Sequence, residues 1–349
     1  MDAKGYIRSS TSWAFAAISA IAIMTSAIYV VYFRTPLQKN VAIDNASIYG
    51  ADANLSIERR NEPILPIQKP TNFDKEKVEL GRVLFHDTRL SRDDTISCAS
   101  CHDLDNGGDD GLKRSIGIEN KEGEINAPTV YNSALFFRQF WDGRAQDLHD
   151  QIPGPIENPL EMGSDWKEVL AKLNADDDLV KSFMQIYKSP PNKNNVIDAL
   201  ASFEASLITP SRFDRWLLGE DSALSEAELN GYRLFVQYGC IACHQGEGVG
   251  GNLFQRFGVI RAYERNSPFE KADFGRFNVT GREEDRFVFK VPTLRNIELT
   301  APYFHDASSE TLKEAIDKMG SYQLGISLPP EDLESITQFL RALTGEELQ

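Results

Sequence analysis

The chain is short of positive charge. Lys and Arg number 37 against 52 Asp and Glu, a formal net charge of −15, which argues against a nucleic-acid partner and suits a basic one. It is also short of soft ligands, with four cysteines, five histidines and five methionines in 349 residues. Bias toward disorder is absent. An apolar fraction of 41% with 10% aromatics is globular, and the length exceeds one ordinary domain and suffices for two cores. Strand signals are short and scattered, which predicts a mainly α fold.

Only one long apolar run stands out. "WAFAAISAIAIMTSAIYVVYF", Trp13 to Phe33, carries no charge and follows Lys4 and Arg8. Its 21 residues are long enough to span a bilayer and exceed a usual signal-peptide core. The expected layout is a cytoplasmic tail over 1–12, a transmembrane signal anchor over 13–33 and a polar linker over 34–62. The remainder is then exported, in the periplasm and tied to the inner membrane. Cleavage after Ala27, giving a soluble product, is the alternative. Basic residues on both flanks leave the positive-inside rule weak here. Pro63, Pro66 and Pro70 stiffen the approach to the first folded unit.

Two segments resemble each other. "VELGRVLFHD…SCASCH" ends at His102 and "AELNGYRLFVQYGCIACH" ends at His244. In both, an amphipathic helix with Gly and then Leu-Phe runs into Cys-x-x-Cys-His, and Ser225 and Glu228 form a capping box ahead of the second. The chain is therefore expected to hold two related units, 63–216 and 217–349. Apolar spacing predicts further helices around Val196 to Ile208 and near Glu331 to Leu343.

All four cysteines fall in these motifs: Cys98 and Cys101 before His102, and Cys240 and Cys243 before His244. Two thiols one turn apart can add across the two vinyl groups of haem, and the adjacent imidazole then swings under the iron. Cys-x-x-Cys-His is the attachment signal of c-type haem. Structural disulfides, zinc sites and redox dithiols are the alternatives. Each pair, however, lacks the spaced second pair of a zinc finger, and two copies consume every cysteine. Axial chemistry then decides each haem's role. His with Met closes the iron for electron transfer, whereas His with an open face can bind peroxide.

Beyond the motifs, "LGRVLFHDTRLSRDDTISCASCH", "INAPTVYN", "QFWDGRAQDL", "NPLEMGS", "VPTLRNIELTAPYFHDA" and "KMGSYQLG" make the chain resemble the bacterial dihaem cytochrome c peroxidases from about Pro63 onward. The resemblance implies two cytochrome c-like haem domains that reduce hydrogen peroxide with electrons from a small exported cytochrome c or cupredoxin. It makes the His102 haem the peroxidatic centre and the His244 haem the electron-transfer centre, with Met319 as sixth ligand. Trp141 would carry electrons between them. Glu161 would act as acid and base over the open face, with Gln151 as a hydrogen-bond donor. Read alone, Trp141 and Met319 are packing residues and Glu161 a surface charge. The resemblance also implies one calcium ion held by the Asn126 side chain and the carbonyls of Thr300 and Pro302, and members often form homodimers. His305 carries no assigned role, and His86 and His149 read as surface or packing residues. A pure electron-transfer cytochrome is the alternative function. A protein-oxidising dihaem maturase is another, but it would want Tyr where Met319 stands.

One stretch departs from the family. "RSIGIEN", Arg114 to Asn120, contains no His, Met, Tyr or Cys. In many members this loop supplies a histidine that closes the peroxidatic iron until the other haem is reduced, and Ile118 occupies its position. The expectation is a first haem that stays open when oxidised, so that activity needs no reductive activation.

Overall fold

The computed structural model describes residues 60–265 and 267–348. The expected tail, membrane anchor and nearly all of the linker lie outside the described residues. Among the described residues no helix is long and apolar enough to cross a membrane.

The helices form two packed groups. The first contains α1 (Lys75–Phe85), the short α2 (Leu148–Gln151) and α3 (Pro153–Glu157), α4 (Trp166–Asn174), α5 (Asp177–Tyr187) and α6 (Lys193–Ser206). Asp74 starts α1 by accepting the Glu76 and Lys77 amide N–H groups, donors that the first turn leaves unpaired. The helix then turns Leu80, Leu84 and Phe85 inward against Val196, Leu200 and Phe203 of α6. Gly81 sets how closely the two helices approach, because a Cβ there would lie 2.0 Å from the Ala199 carbonyl oxygen. The expected helix at 196–208 runs from Lys193 to Ser206, and Leu207 caps it.

The second group contains α7 (Arg212–Leu217), α8 (Glu226–Gln237), α9 (Phe277–Thr280), α10 (Leu312–Met319) and α11 (Pro330–Arg341). The Ser225–Glu228 capping box is formed. Gly231 of α8 repeats the role of Gly81, with its Cβ position 1.9 Å from the Ser335 carbonyl oxygen of α11. Phe213, Tyr232, Phe235 and Phe339 cluster with ring centroids 5.0–5.2 Å apart. Full burial of each such side chain is worth about 1.5–3 kcal/mol. A two-stranded antiparallel ribbon, β1 (Phe254–Arg256) with β2 (Val288–Lys290), pairs Phe254 with Lys290.

Residues 63–67 and 212–216, which the sequence reading assigns to the first unit, contribute Ile64, Phe213 and Trp216 to the second core. A buried ion pair holds them there. Arg295 meets both Asp214 carboxylate oxygens at 2.8 and 2.9 Å, and Asp214 also accepts the Ile67 amide N–H at 2.8 Å. Removing one partner of such a pair typically costs about 3–5 kcal/mol.

Candidate functional site

Both Cys-x-x-Cys-His motifs adopt the same local geometry. Cys98–Ser100 and Cys240–Ala242 each form one 3-10 turn. The amide N–H of His102 donates to the Cys98 carbonyl at 3.0 Å, and that of His244 to the Cys240 carbonyl at 3.1 Å. In each site the Nδ1 of the imidazole meets a backbone carbonyl, that of Gly108 at 3.1 Å for His102 and that of Val249 at 3.4 Å for His244. Tying Nδ1 to a carbonyl leaves Nε2 as the ligating atom and fixes the ring. Burial lowers the pKa of both imidazoles, His244 to about 4, which favours the neutral form that can ligate. Burial also raises the thiols, Cys101 and Cys240 to about 11. All four cysteines are free.

The second motif opens on a mainly apolar cavity. Cys240, Cys243 and His244 line it together with Phe235, Phe257, Phe289, Ile316, Leu340 and Met319. Met319 is the last residue of α10, one turn beyond Ile316. Thr311 and Glu314 fix the start of that helix with a capping box, and a π-helical turn, Gly320–Leu324, follows Met319. A cavity with two thiols and an oriented imidazole, and with a thioether among its walls, has the donor set for a covalently attached haem.

Asn126, Trp141, Thr300 and Pro302 line the same cavity. The indole N–H of Trp141 donates to the Asn126 carbonyl at 3.0 Å, and its ring sits edge-on to Phe289 and His305, at 6.4 and 6.3 Å. The side-chain N–H of Asn126 donates to the Leu112 carbonyl at 2.9 Å, which leaves its amide oxygen as an acceptor. His305 is buried, stacked on Phe289 at 4.4 Å and paired with Asp273 at 2.9 Å. Asp273 in turn meets Arg265.

Glu161 belongs to the first site. Its Oε1 accepts a hydrogen bond from the Asn158 side chain at 2.7 Å. Burial raises its carboxyl pKa, against the opposing pull of Asn158 and the Arg144 guanidinium. Its charge in turn raises the Cys101 thiol. Gln151 ends α2, and the hydrogen bond at Glu161 comes from Asn158 and not from Gln151.

The loop over 115–123 docks on the turn that carries Glu161. Ile118 is 0% exposed, and its amide N–H donates to the Glu161 carbonyl at 2.8 Å. A Cβ on Gly163, where φ is +58°, would lie 2.2 Å from Ile118 Cδ1, and one on Gly117 would lie 2.1 Å from the Leu160 carbonyl oxygen. Ile118 is thus packed as a plug in the wall of the site. His149, the one histidine free to substitute for the absent ligand, is exposed and pairs with Asp198 at 3.5 Å. His86 is exposed and hydrogen-bonds the Arg82 carbonyl.

Three site residues escaped the sequence reading. Asn158 binds Glu161, and Asp109 is a buried carboxylate without a side-chain hydrogen-bond partner among the described residues. Lys290 lines the cavity with its ammonium 4.4 Å from the Phe136 ring, and burial lowers its pKa to about 8. The signal for Lys290 was present in the sequence, as a lone cation within the strand "FVFKV".

The fold and these two matched turns define a mainly helical protein with two c-type haem attachment sites. Residues 75–222 match the model of the di-haem cytochrome c peroxidases. Cytochrome c peroxidase Ccp of Escherichia coli K12 is 47% identical over 85% of this chain and 64% of its own length. The cytochrome c551 peroxidase of Nitrosomonas europaea is 44% identical over 88% of this chain and 91% of its own. The crystal structure of a MauG-like protein associated with microbial copper homeostasis superposes with a TM-score of 0.73 at 28% identity, covering 86% of this chain and 97% of that one. The chain belongs to the di-haem cytochrome c peroxidase family, and membership implies two c-type haems. It spans just under two thirds of the Escherichia coli relative and nearly all of the Nitrosomonas one.

Proposed function

We propose that this protein reduces hydrogen peroxide to water with electrons from a small exported cytochrome c or cupredoxin. The observation that carries the reading is the asymmetry of the two sites: a carboxylate, Glu161, beside the first motif, and a thioether, Met319, in the cavity of the second. A haem, when bound, supplies iron that takes peroxide oxygen and exchanges electrons at a potential set by its axial ligands. His102 would hold the first iron, and His244 with Met319 the second.

Converting one peroxide to two waters consumes two electrons and two protons. Glu161 takes the peroxide proton and delivers it to the departing oxygen. Burial raises its pKa, so it holds a proton more readily than an exposed carboxylate does. Gln151 is proposed as an added donor from α2. Trp141 relays electrons between the sites. Its N–H rests on a carbonyl that cannot take the proton, so the indole stays protonated as charge passes. A calcium ion is proposed on the Asn126 amide oxygen and the Thr300 and Pro302 carbonyls, all hard oxygen donors.

The remaining readings are proposals of the same kind. The protein is periplasmic and held to the inner membrane by residues 13–33, or released by cleavage as a soluble form, and it assembles as a homodimer. The charge of −15 steers a basic donor, at rates that fall with salt.

Because Ile118 stands where many relatives carry the activating histidine, the oxidised protein is ready to turn over. The test follows peroxide consumption by fully oxidised protein and by protein given one reducing equivalent. Equal initial rates without a lag are expected, together with an oxidised-state EPR spectrum lacking a bis-histidine low-spin signal at the first haem. A full lag, or that signal, sinks the readiness claim. Absence of peroxide turnover in both samples would leave an electron carrier instead.

A further inference from the structure

The cavity of the second motif holds a buried ammonium and no anion. Lys290 is 7% exposed and lines it beside Cys240, His244 and Met319. Among the described residues that line the cavity, none is Asp or Glu. The Lys290 ammonium forms no ion pair or hydrogen bond among the described residues, and the Phe136 ring lies 4.4 Å away. An aromatic face offsets part of the cost of burying a charge but supplies no counter-charge. Burial is the one influence on the group, lowering its pKa to about 8, so no neighbouring carboxylate compensates it. The acids on nearby segments are already committed. Asp142, next to Trp141, meets Arg144 at 3.0 Å, and Asp285, ahead of β2, meets Arg282 at 2.9 Å. Asp273 is held by His305 and Arg265.

The main chain fixes where this charge stands. The amide N–H of Lys290 donates to the Trp141 carbonyl at 2.8 Å, and β1 pairs Phe254 with Lys290. The next residue, Val291, donates to the Leu253 carbonyl at 3.0 Å. A lysine on an apolar wall ordinarily extends its stem until the ammonium reaches water. Lys290 stays buried instead. The other long cation that lines the cavity, Arg256, is partly exposed and donates to the Glu284 carbonyl at 2.9 Å. A haem attached at Cys240 and Cys243 brings two carboxylates of its own, the propionate side chains. It therefore carries the sign of charge that the cavity lacks.

We propose that Lys290 receives a propionate carboxylate of the second haem, orienting that group and raising the potential of its iron. The inference rests on haem at the second motif, which family membership implies, and not on peroxide as the substrate. A fixed positive charge in an apolar cavity favours the reduced iron, which carries one positive charge fewer. Lys290 is a positioning residue one main-chain hydrogen bond from Trp141, so the charge and the proposed relay are held by the same strand.

The experiment compares haem-loaded parent, Lys290→Met and Lys290→Arg by spectroelectrochemistry and by resonance Raman at the second haem. In Lys290→Met the ratio of reduced to oxidised second haem at a fixed potential should fall roughly tenfold, a downward shift of about 59 mV. Its propionate-bending band should move, because the carboxylate loses its donor. Lys290→Arg keeps charge and donors and should leave both readings near the parent's. A residue that only fills space would be replaced by methionine, close to it in length, without either change. An unchanged potential in Lys290→Met overturns the inference. A lowered potential with an unmoved band also overturns it, because the charge would then act without touching the carboxylate. Should Lys290→Met fail to load haem, Lys290→Gln decides: a lowered potential supports the inference and a parent-like one overturns it. Peroxide turnover is not read, so failure here leaves the peroxidase reading standing, and a pure electron carrier would give the same supporting result.

Discussion

α1 and α8 each press a glycine against the backbone of a later helix, Gly81 on Ala199 and Gly231 on Ser335. Each then leads to a 3-10 turn in which the first cysteine's carbonyl takes the histidine's amide N–H. On the far side the units part. The second offers a thioether at the end of α10 and a mainly apolar cavity. The first offers a carboxylate held by Asn158 and a loop plugged by Ile118. Covalent attachment dictates the near side of a c-type haem, since the thiols and imidazole must be contiguous in sequence. The far side is assembled from distant segments and can be turned to different chemistry.

The sharpest way to break this contrast is Glu161→Gln. If the first site does the proton chemistry, peroxide turnover should fall by about 10²–10⁴-fold. Reduction of the second haem by its donor should keep its rate, since Met319 and His244 lie in a cavity that Glu161 does not line. Stopped-flow spectra of both processes check this. An unchanged peroxide rate would transfer the acid–base role elsewhere or remove it.

The repeated frame is tested by Gly81→Ala and Gly231→Ala. Each adds a Cβ at 2.0 and 1.9 Å, respectively, from a main-chain oxygen, so the helices must separate. Chemical unfolding should show losses of about 1–3 kcal/mol for each, as is typical of overpacked contacts, although alanine is otherwise the better helix former. Similar losses keep the two frames equivalent. A loss confined to one variant would mean that the resemblance stops at the turn.

How much of this was legible in the sequence follows the same division. The motifs, the Ser225–Glu228 box and the inward faces of the 193–206 and 330–341 helices were readable, because each is written within a few turns of chain. The family resemblance supplied Trp141, Asn126, Thr300, Pro302 and Met319, and the structure gathers all five around one cavity. What stayed hidden depends on contacts distant in sequence. Ile64 packs in the second core because Arg295 and Asp214 anchor its neighbours. Glu204 sits fully inside the first core, where burial raises its pKa to about 8, though its helical pattern reads as ordinary. Asp109 looked like one acid among many until its surroundings were known. The sequence could also say that Ile118 cannot ligate iron, but not that it is buried against Gly163 and tied to Glu161.

That last point separates two explanations of the open first site proposed above. Such a site would stay open either because the loop lacks a histidine or because the loop is locked in place by its docking. Ile118→His distinguishes them. If lack of a ligand is the cause, the oxidised variant should show a bis-histidine low-spin EPR signal and a turnover lag that one reducing equivalent removes. After that reduction its rate should approach the parent's. If docking is the cause, the amide bond to the Glu161 carbonyl and the fit against Gly163 hold the loop whatever residue stands there. The imidazole would then be buried among poor partners, at a cost of about 1–3 kcal/mol, and the spectrum would not change. The side chain at 118 is the only covalent difference between these forms. A changed spectrum therefore assigns readiness to residue type, and an unchanged spectrum with lowered stability assigns it to the packing of the loop.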